Sequence, residues 1–231
     1  MSYKPKITFS LRTLLIFTAF VALLVPACMF FFHREPRPDS PFTNAAPLKD
    51  VPYPPDGSFA WLRGVPKHDE WALGERCADS LPAQLESITS SAADVSLALP
   101  DVFTAFMGDA TLHQHLRSAN GDYLNLAESV LPFADGYLIR FLHDQQEAVF
   151  WYIYTSADGS DHCVVSSYEY FDADEMDYEL DDLKESDFGY WAPSFEHFFC
   201  AYWIAHEMMF SRNDGTPPPD VDARFHELYA S

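Results

Sequence analysis

Basic residues are scarce in this chain. Fourteen Lys and Arg stand against 35 Asp and Glu, for a formal net charge of −21. So acidic a surface repels a phosphate backbone, which excludes nucleic acid as a partner and makes a basic partner the charged one to expect. Acidity by itself also simply keeps a protein soluble. Glycine is scarce as well, at nine residues, and no G-x-S-x-G, P-loop or dinucleotide-binding glycine pattern occurs. Cysteine is confined to Cys28, Cys77, Cys163 and Cys200, far apart and without a C-x-x-C spacing. Zinc-ribbon and thioredoxin-type motifs are thereby excluded. The three cysteines beyond the apolar leader form no disulfide framework, and buried thiols are the expectation.

The motifs that come near to chemistry fail on geometry. His206-Glu207-Met208-Met209-Phe210 lacks the second histidine of H-E-x-x-H, so two imidazoles cannot face one metal. His206 falls on the apolar side of its helix and reads as a hydrogen-bonded core histidine. On a helix His113 and His115 diverge by about 200° and cannot share an ion. His162 and Cys163 are strand neighbours and point to opposite faces, so the imidazole cannot take the thiol proton. No catalytic, metal or cofactor residue is assigned. Scattered carboxylates leave no local signature and keep a hydrolase open as an alternative.

What the chain has in abundance is apolar and aromatic residues, 48% and 16% of the total. Residues 1–13 are short and basic. Residues 14–32 carry no charge over 19 positions. As a helix they reach roughly 28 Å, close to the ~30 Å hydrocarbon core, and are read as one N-terminal transmembrane helix. A cleaved signal peptide is the main alternative, and Val25-Pro26-Ala27-Cys28 faintly resembles a lipidation box; Phe30-Phe31-Phe32 fits neither well. Lys4, Lys6 and Arg12 precede the span and Arg34, Arg37 and Lys49 follow it; the nearest flanks, with Glu35 and Asp39 adjoining the latter, tip the orientation towards a single-pass protein with its domain on the extracytoplasmic side. Residues 33–58, with seven prolines, read as a semi-stiff stalk. A folded domain is expected over 59–212 and a Pro-rich tail over 213–231, with a turn near Phe225 and Leu228 docking back.

Within the domain, Tyr137 to Ser167 reads as three strands. Asp144–Glu147 forms the first turn and Ala157-Asp158-Gly159-Ser160 the second. In the middle strand Val149, Trp151 and Ile153 face one way, Phe150, Tyr152 and Tyr154 the other. Both sets are apolar, so the sheet is expected to be covered on both sides. Trp61 and Trp71 are read as packing residues. Ser80 is expected to cap a helix bearing Leu85, Ile88 and Ala92, Leu99-Pro100 to open one bearing Phe103 and Phe106, and Asp109 to cap a third. Ser194 is expected to cap a long helix. Its wheel places Phe195, Phe198, Phe199, Tyr202, Trp203, Met209 and Phe210 on one face, with Glu196, His197 and Glu207 opposite. Between the last strand and that helix lies an acidic tract, Asp172 to Asp187, with nine carboxylates. It fails the EF-hand pattern, having Asp177 where Gly is required and Leu183 where Glu is required. It reads as a solvated loop. Asp172, Asp174, Glu175, Asp177, Glu179, Asp181 and Asp182 are its candidate partner contacts.

Residues 81–210 resemble the SUKH superfamily of bacterial immunity proteins and fungal cell-wall-synthesis regulators. The matching pieces are Leu99-Pro100 with Phe103 and Phe106, the strand Trp151-Tyr152-Ile153-Tyr154 with its turn glycine Gly159, Val164-Val165, and Ser194-Phe195 opening the last helix. His143-Asp144-Gln145-Gln146 stands where that family has a Gly-Asp-Gly-rich segment. The resemblance implies an α+β fold, a mostly antiparallel sheet covered by helices, and a non-catalytic role in binding other proteins. The resulting expectation is a membrane-anchored protein-binding domain with a basic protein partner. A carboxylate-dependent extracytoplasmic hydrolase and a purely structural envelope protein are the alternatives.

Overall fold

The computed structural model describes residues 42, 49–173 and 183–230 of the chain. The span expected at 14–32 lies outside them, as does the basic segment before it. Among the described residues no helix is long and apolar enough to cross a membrane.

The period-2 pattern of the middle strands builds an α+β domain around one antiparallel sheet. Its strands are β1 (Tyr123–Leu124), β2 (Leu131–Phe133), β3 (Gly136–His143), β4 (Phe150–Ser156), β5 (His162–Ser167) and β6 (Gly189–Ala192). The order is β1-β3-β4-β5-β6, and β2 pairs with the other end of β3. The two expected turns form. Asp144 Oδ1 accepts from Ala148 N and Val149 N in the first. In the second, Gly159 has φ +71°, and a Cβ there would lie 2.5 Å from the Ala98 carbonyl oxygen, so glycine is required on both counts.

Alternation in β4 divides the core in two. Trp151 and Ile153 join a cluster on the helix side, while Phe150, Tyr152 and Tyr154 join a second cluster on the far side. A register shift in β3 between Arg140 and Leu142 adds a residue opposite β4. Such a bulge lets the consecutive residues Phe141 and Leu142 both face the helices with Ile139, while Arg140, opposite Tyr152, keeps the far-side position that alternation gives it.

Helices cover the first face: α1 (Leu81–Asp94), α2 (Asp101–Gly108), α3 (Ala110–His113) and α4 (Phe195–Asp214). Ser194 Oγ accepts from His197 N and starts α4; Gly215 in the left-handed region ends it. Asp109 caps α3 by accepting from Thr111 N. Ser80 occupies the capping position of α1, but its hydroxyl donates to the Cys77 carbonyl instead of taking a helix N–H.

Two expectations change. First, α4 is buried on nearly every side, and Glu196, placed opposite its apolar face by the helical wheel, is 1% exposed. Its carboxylate accepts from Gly57 N, Phe59 N and the Trp61 indole. Second, those partners mean that the stretch read as a stalk through residue 58 contributes to the packing. Phe42 is fully buried in the second cluster, and Tyr53 stacks on Trp61 at 5.3 Å. Proline fixes φ but leaves the aromatic residues between prolines free to dock. The tail does dock back at Phe225, as expected, through α5 (Ala223–Leu228), with Phe225 and Tyr229 buried and the Tyr229 hydroxyl donating to the Asp50 carbonyl. Cys77, Cys163 and Cys200 are buried thiols, as expected.

Candidate interaction site

The acidic tract does not present Asp172 to solvent. Asp172 is 5% exposed, and its Oδ2 lies 3.1 Å from Nη2 of Arg140, itself buried. The Tyr170 hydroxyl donates to the same oxygen at 3.2 Å. Its expected role as a partner contact is therefore corrected: alternation in β3 puts Arg140 on the same face as Leu138, opposite Tyr152 of the second core, and a buried cation requires an anion beside it. Asp174, Glu175, Asp177, Glu179, Asp181 and Asp182 lie outside the described residues.

Groups that could act as nucleophiles or metal ligands are committed elsewhere. Burial pushes the Cys77 thiol up to about 11 and the Cys200 thiol up to about 12, so both stay protonated at neutral pH. His113 Nε2 bonds the Phe106 carbonyl at 2.8 Å, and burial lowers its pKa. Among the described residues, no three His, Cys, Asp or Glu side chains are placed to hold a metal ion.

The structure instead brings together a surface that the sequence does not announce. The segment Trp71–Leu73 runs antiparallel to Leu116–Ser118. Leu73 N donates to the Leu116 carbonyl, Ser118 N to the Trp71 carbonyl, and Ala72 bridges Arg117. Leu73 enters the core and is fully buried. Regular alternation would send Trp71 inward beside it. Trp71 has φ +63°, which breaks the alternation and leaves the indole 53% exposed. The packing role expected for Trp71 is thus corrected, whereas Trp61 does pack, against Tyr53 and Trp203.

The floor beneath Trp71 is fixed by two networks. Arg117 clamps Glu207 of α4 in bidentate fashion, Nε to Oε1 at 2.8 Å and Nη2 to Oε2 at 2.7 Å, and lies 3.9 Å from the Phe210 ring centre. Burial alone would raise the Glu207 carboxyl; hydrogen bonding by His68 and Arg117, with the Arg117 charge, outweighs it and holds it at about 2. In the second network, Ser118 Oγ accepts from Asn120 N and Asp122 N and donates to Asp122 Oδ2 at 2.7 Å. The Tyr202 hydroxyl donates to the same oxygen, also at 2.7 Å. His206 Nε2 lies 3.5 Å from it. His206 Nδ1 accepts from Ala119 N, and burial lowers its pKa to about 3, so the ring is neutral with its proton on Nε2, facing Asp122. This is the hydrogen-bonded core histidine expected from the sequence. Its acceptor nitrogen is occupied by a backbone N–H, so it is not a base for the Ser118 hydroxyl.

All the polar contacts of Asp122 converge on Oδ2. Its Oδ1 is buried without a hydrogen-bond partner. The residue lines a cavity of about 300 Å³ shared with Glu70, Trp71, Glu75, Arg76, Ser118 and Gly121. Asn120-Gly121 is a turn signal in the sequence, and Gly121 does have φ +76°. Nothing local in the sequence links that turn to Tyr202 or His206, more than eighty residues away. Compared with protein-family models, with curated proteins and with solved structures, the chain finds no match.

Proposed function

We propose that this chain is a membrane-tethered, non-catalytic protein-binding domain of SUKH type that engages a basic protein partner. The tether is the uncharged stretch at residues 14–32, and the extracytoplasmic side is the side of binding. The observation that carries the binding reading is Trp71. A solvent-facing indole held in left-handed backbone beside the pairing with Leu116–Ser118 is costly for folding and suited to recognition, because Trp anchors dominate interface energies. Carboxylates outnumber cations around it: Glu70 and Glu75 line the cavity with Arg76, and Asp69 and Asp214 line the adjoining depression with Lys67 and with Arg117, which is paired to Glu207. That charge favours a basic surface and speeds its approach. The antiparallel sheet with helices on one face is compatible with the SUKH resemblance.

The test is affinity capture with the full chain from native membranes, run in parallel with Trp71→Ala. A basic protein retained by the wild type should be lost from the variant, whose Kd rises by roughly thirtyfold for an anchor of about 2 kcal/mol. Circular dichroism confirms that the variant is folded. Equal capture of the same proteins by both baits would overturn the reading.

A further inference from the structure

We propose that the cavity between α1, α2, α3 and the segment 67–78 is a binding site for a small, neutral, largely apolar molecule bearing one O–H or N–H donor. Trp71 does not line it, and the assignment does not rest on the protein-binding reading. The cavity holds about 580 Å³, against about 300 Å³ beside Trp71, and falls within the roughly 300–1,000 Å³ of small-molecule sites. Its walls are mainly apolar, with Ala78, Leu81 and Leu85 on one side and Met107 and Ala110 on the other. One polar side chain is set into them. His113 is 2% exposed, its ring centre lies 4.9 Å from that of Phe106, and its Nε2 is 2.8 Å from the Phe106 carbonyl oxygen. A carbonyl oxygen only accepts, so Nε2 carries the proton. Burial lowers the pKa of the ring, which is therefore neutral and keeps Nδ1 as an acceptor. Nδ1 has no hydrogen-bond partner among the described residues and, unlike Nδ1 of His143, is not sealed from solvent. A Cβ at Gly74 would lie 3.1 Å from this nitrogen and 2.8 Å from His113 Cβ, so a larger residue there would cover the acceptor. Glycine keeps it open to the cavity that both residues line.

These surroundings select the ligand. A lone acceptor among apolar walls favours a molecule with a donor over the same molecule without one, which leaves the nitrogen unpaired. An anion is disfavoured, because Asp69 and Glu75 stand exposed at the rim and the neutral imidazole offers no charge. Lys67, the cation at the rim, donates to Gln114 Oε1 at 3.0 Å. A cation fares no better: the carboxylates are at the rim, and stripping its water against Leu81, Leu85 and Met107 is not compensated. An aromatic ring system with a single hydroxyl or ring N–H meets all of these conditions.

The experiment uses the full chain in phosphatidylcholine nanodiscs, with methyl-labelled methionine and ¹⁵N-labelled histidine, titrated separately with β-naphthol, its methyl ether and β-naphthoate. The three share a ring system and differ in carrying a donor, no donor or a negative charge. β-Naphthol should shift the Met107 methyl and His113 Nδ1 signals saturably, about tenfold more tightly than the ether, and β-naphthoate should bind more weakly than either. His113→Phe keeps a ring and removes the acceptor, so β-naphthol should fall to the affinity of the ether. If that variant does not fold, Gly108→Leu tests the same cavity from its wall. A Cβ at Gly108 would meet only Leu85 Cδ2, at 3.8 Å, so a side chain there fits without strain and fills the space. Gly108→Leu should abolish the Met107 shift with β-naphthol while circular dichroism stays unchanged. An unshifted Met107 methyl in the wild type, equal affinity for β-naphthol and its ether, or binding unchanged in Gly108→Leu would each overturn the site. Capture through Trp71 is read separately, so failure here leaves the protein-binding reading standing.

Discussion

On one face of the sheet, Trp151 and Ile153 meet α4, whose Phe198 and Phe199 pack with Phe141 of β3. On the other, Tyr152 and Tyr154 meet loops and Phe42. The first cover satisfies its own backbone, because helical N–H and C=O groups pair within the helix. The side chains beneath it can therefore be almost wholly apolar. The second cover is irregular chain, and its backbone groups must find partners in the core they seal. Tyr152 supplies them: its hydroxyl accepts from Phe171 N at 2.8 Å and donates to the Glu169 carbonyl. The Tyr154 hydroxyl bonds Asp135, and Arg140 pairs with Asp172. A loop cover thus imports polar groups that a helix cover does not need.

Truncation on the helix face should give the largest loss, because nothing but packing is lost and nothing can compensate. Trp151 is 8% exposed, and Trp151→Ala should destabilise the domain by about 4 kcal/mol in urea titration. A loss below about 1 kcal/mol would mean that α4 does not seal this face. Next comes the ion pair of the loop face. Asp172→Ala leaves Arg140 without its carboxylate and should cost about 3 kcal/mol. Adding Arg140→Met should recover most of that loss, since a buried pair replaced by apolar residues is close to neutral. Failure of the second change to recover stability would show that the pair is not what balances this face. The smallest effect belongs to Tyr152→Phe, which keeps the ring and removes the acceptor for Phe171 N together with the longer bond to the Glu169 carbonyl. It should cost about 1–2 kcal/mol and speed amide exchange at Phe171. An unchanged exchange rate there would break the distinction between the two covers.

Much of this was legible in residue order. The alternation of β4, the turns at Asp144 and Gly159, the caps at Asp109 and Ser194 and the helix covering one face all follow from patterns within a few residues. The polar interior was not. Glu196 sits on the polar side of a helical wheel, and a wheel cannot register a loop arriving at Gly57 and Phe59 to donate to it. Asp172 looks like one carboxylate of a solvated run until the fold brings it against Arg140, which stands opposite Tyr152 on the far face of the sheet. Trp71 reads as core because isolated tryptophans usually are, and its exposure depends on a backbone angle fixed by pairing with Leu116–Ser118.

By itself the sequence determined the three central strands β3, β4 and β5, their two-sided burial, the turns between them and the net acidity of the chain. These depend on backbone periodicity, local sterics and summed charge, which need no knowledge of distant contacts. Only the tertiary structure decided which carboxylates are consumed inside and which remain on the surface. It places Asp172 against Arg140, Glu196 against the incoming chain, and Asp122 beside Tyr202 with one oxygen to spare. The physical reason is that the cost of burying a charge is set by its partners, and here those partners come from remote parts of the chain.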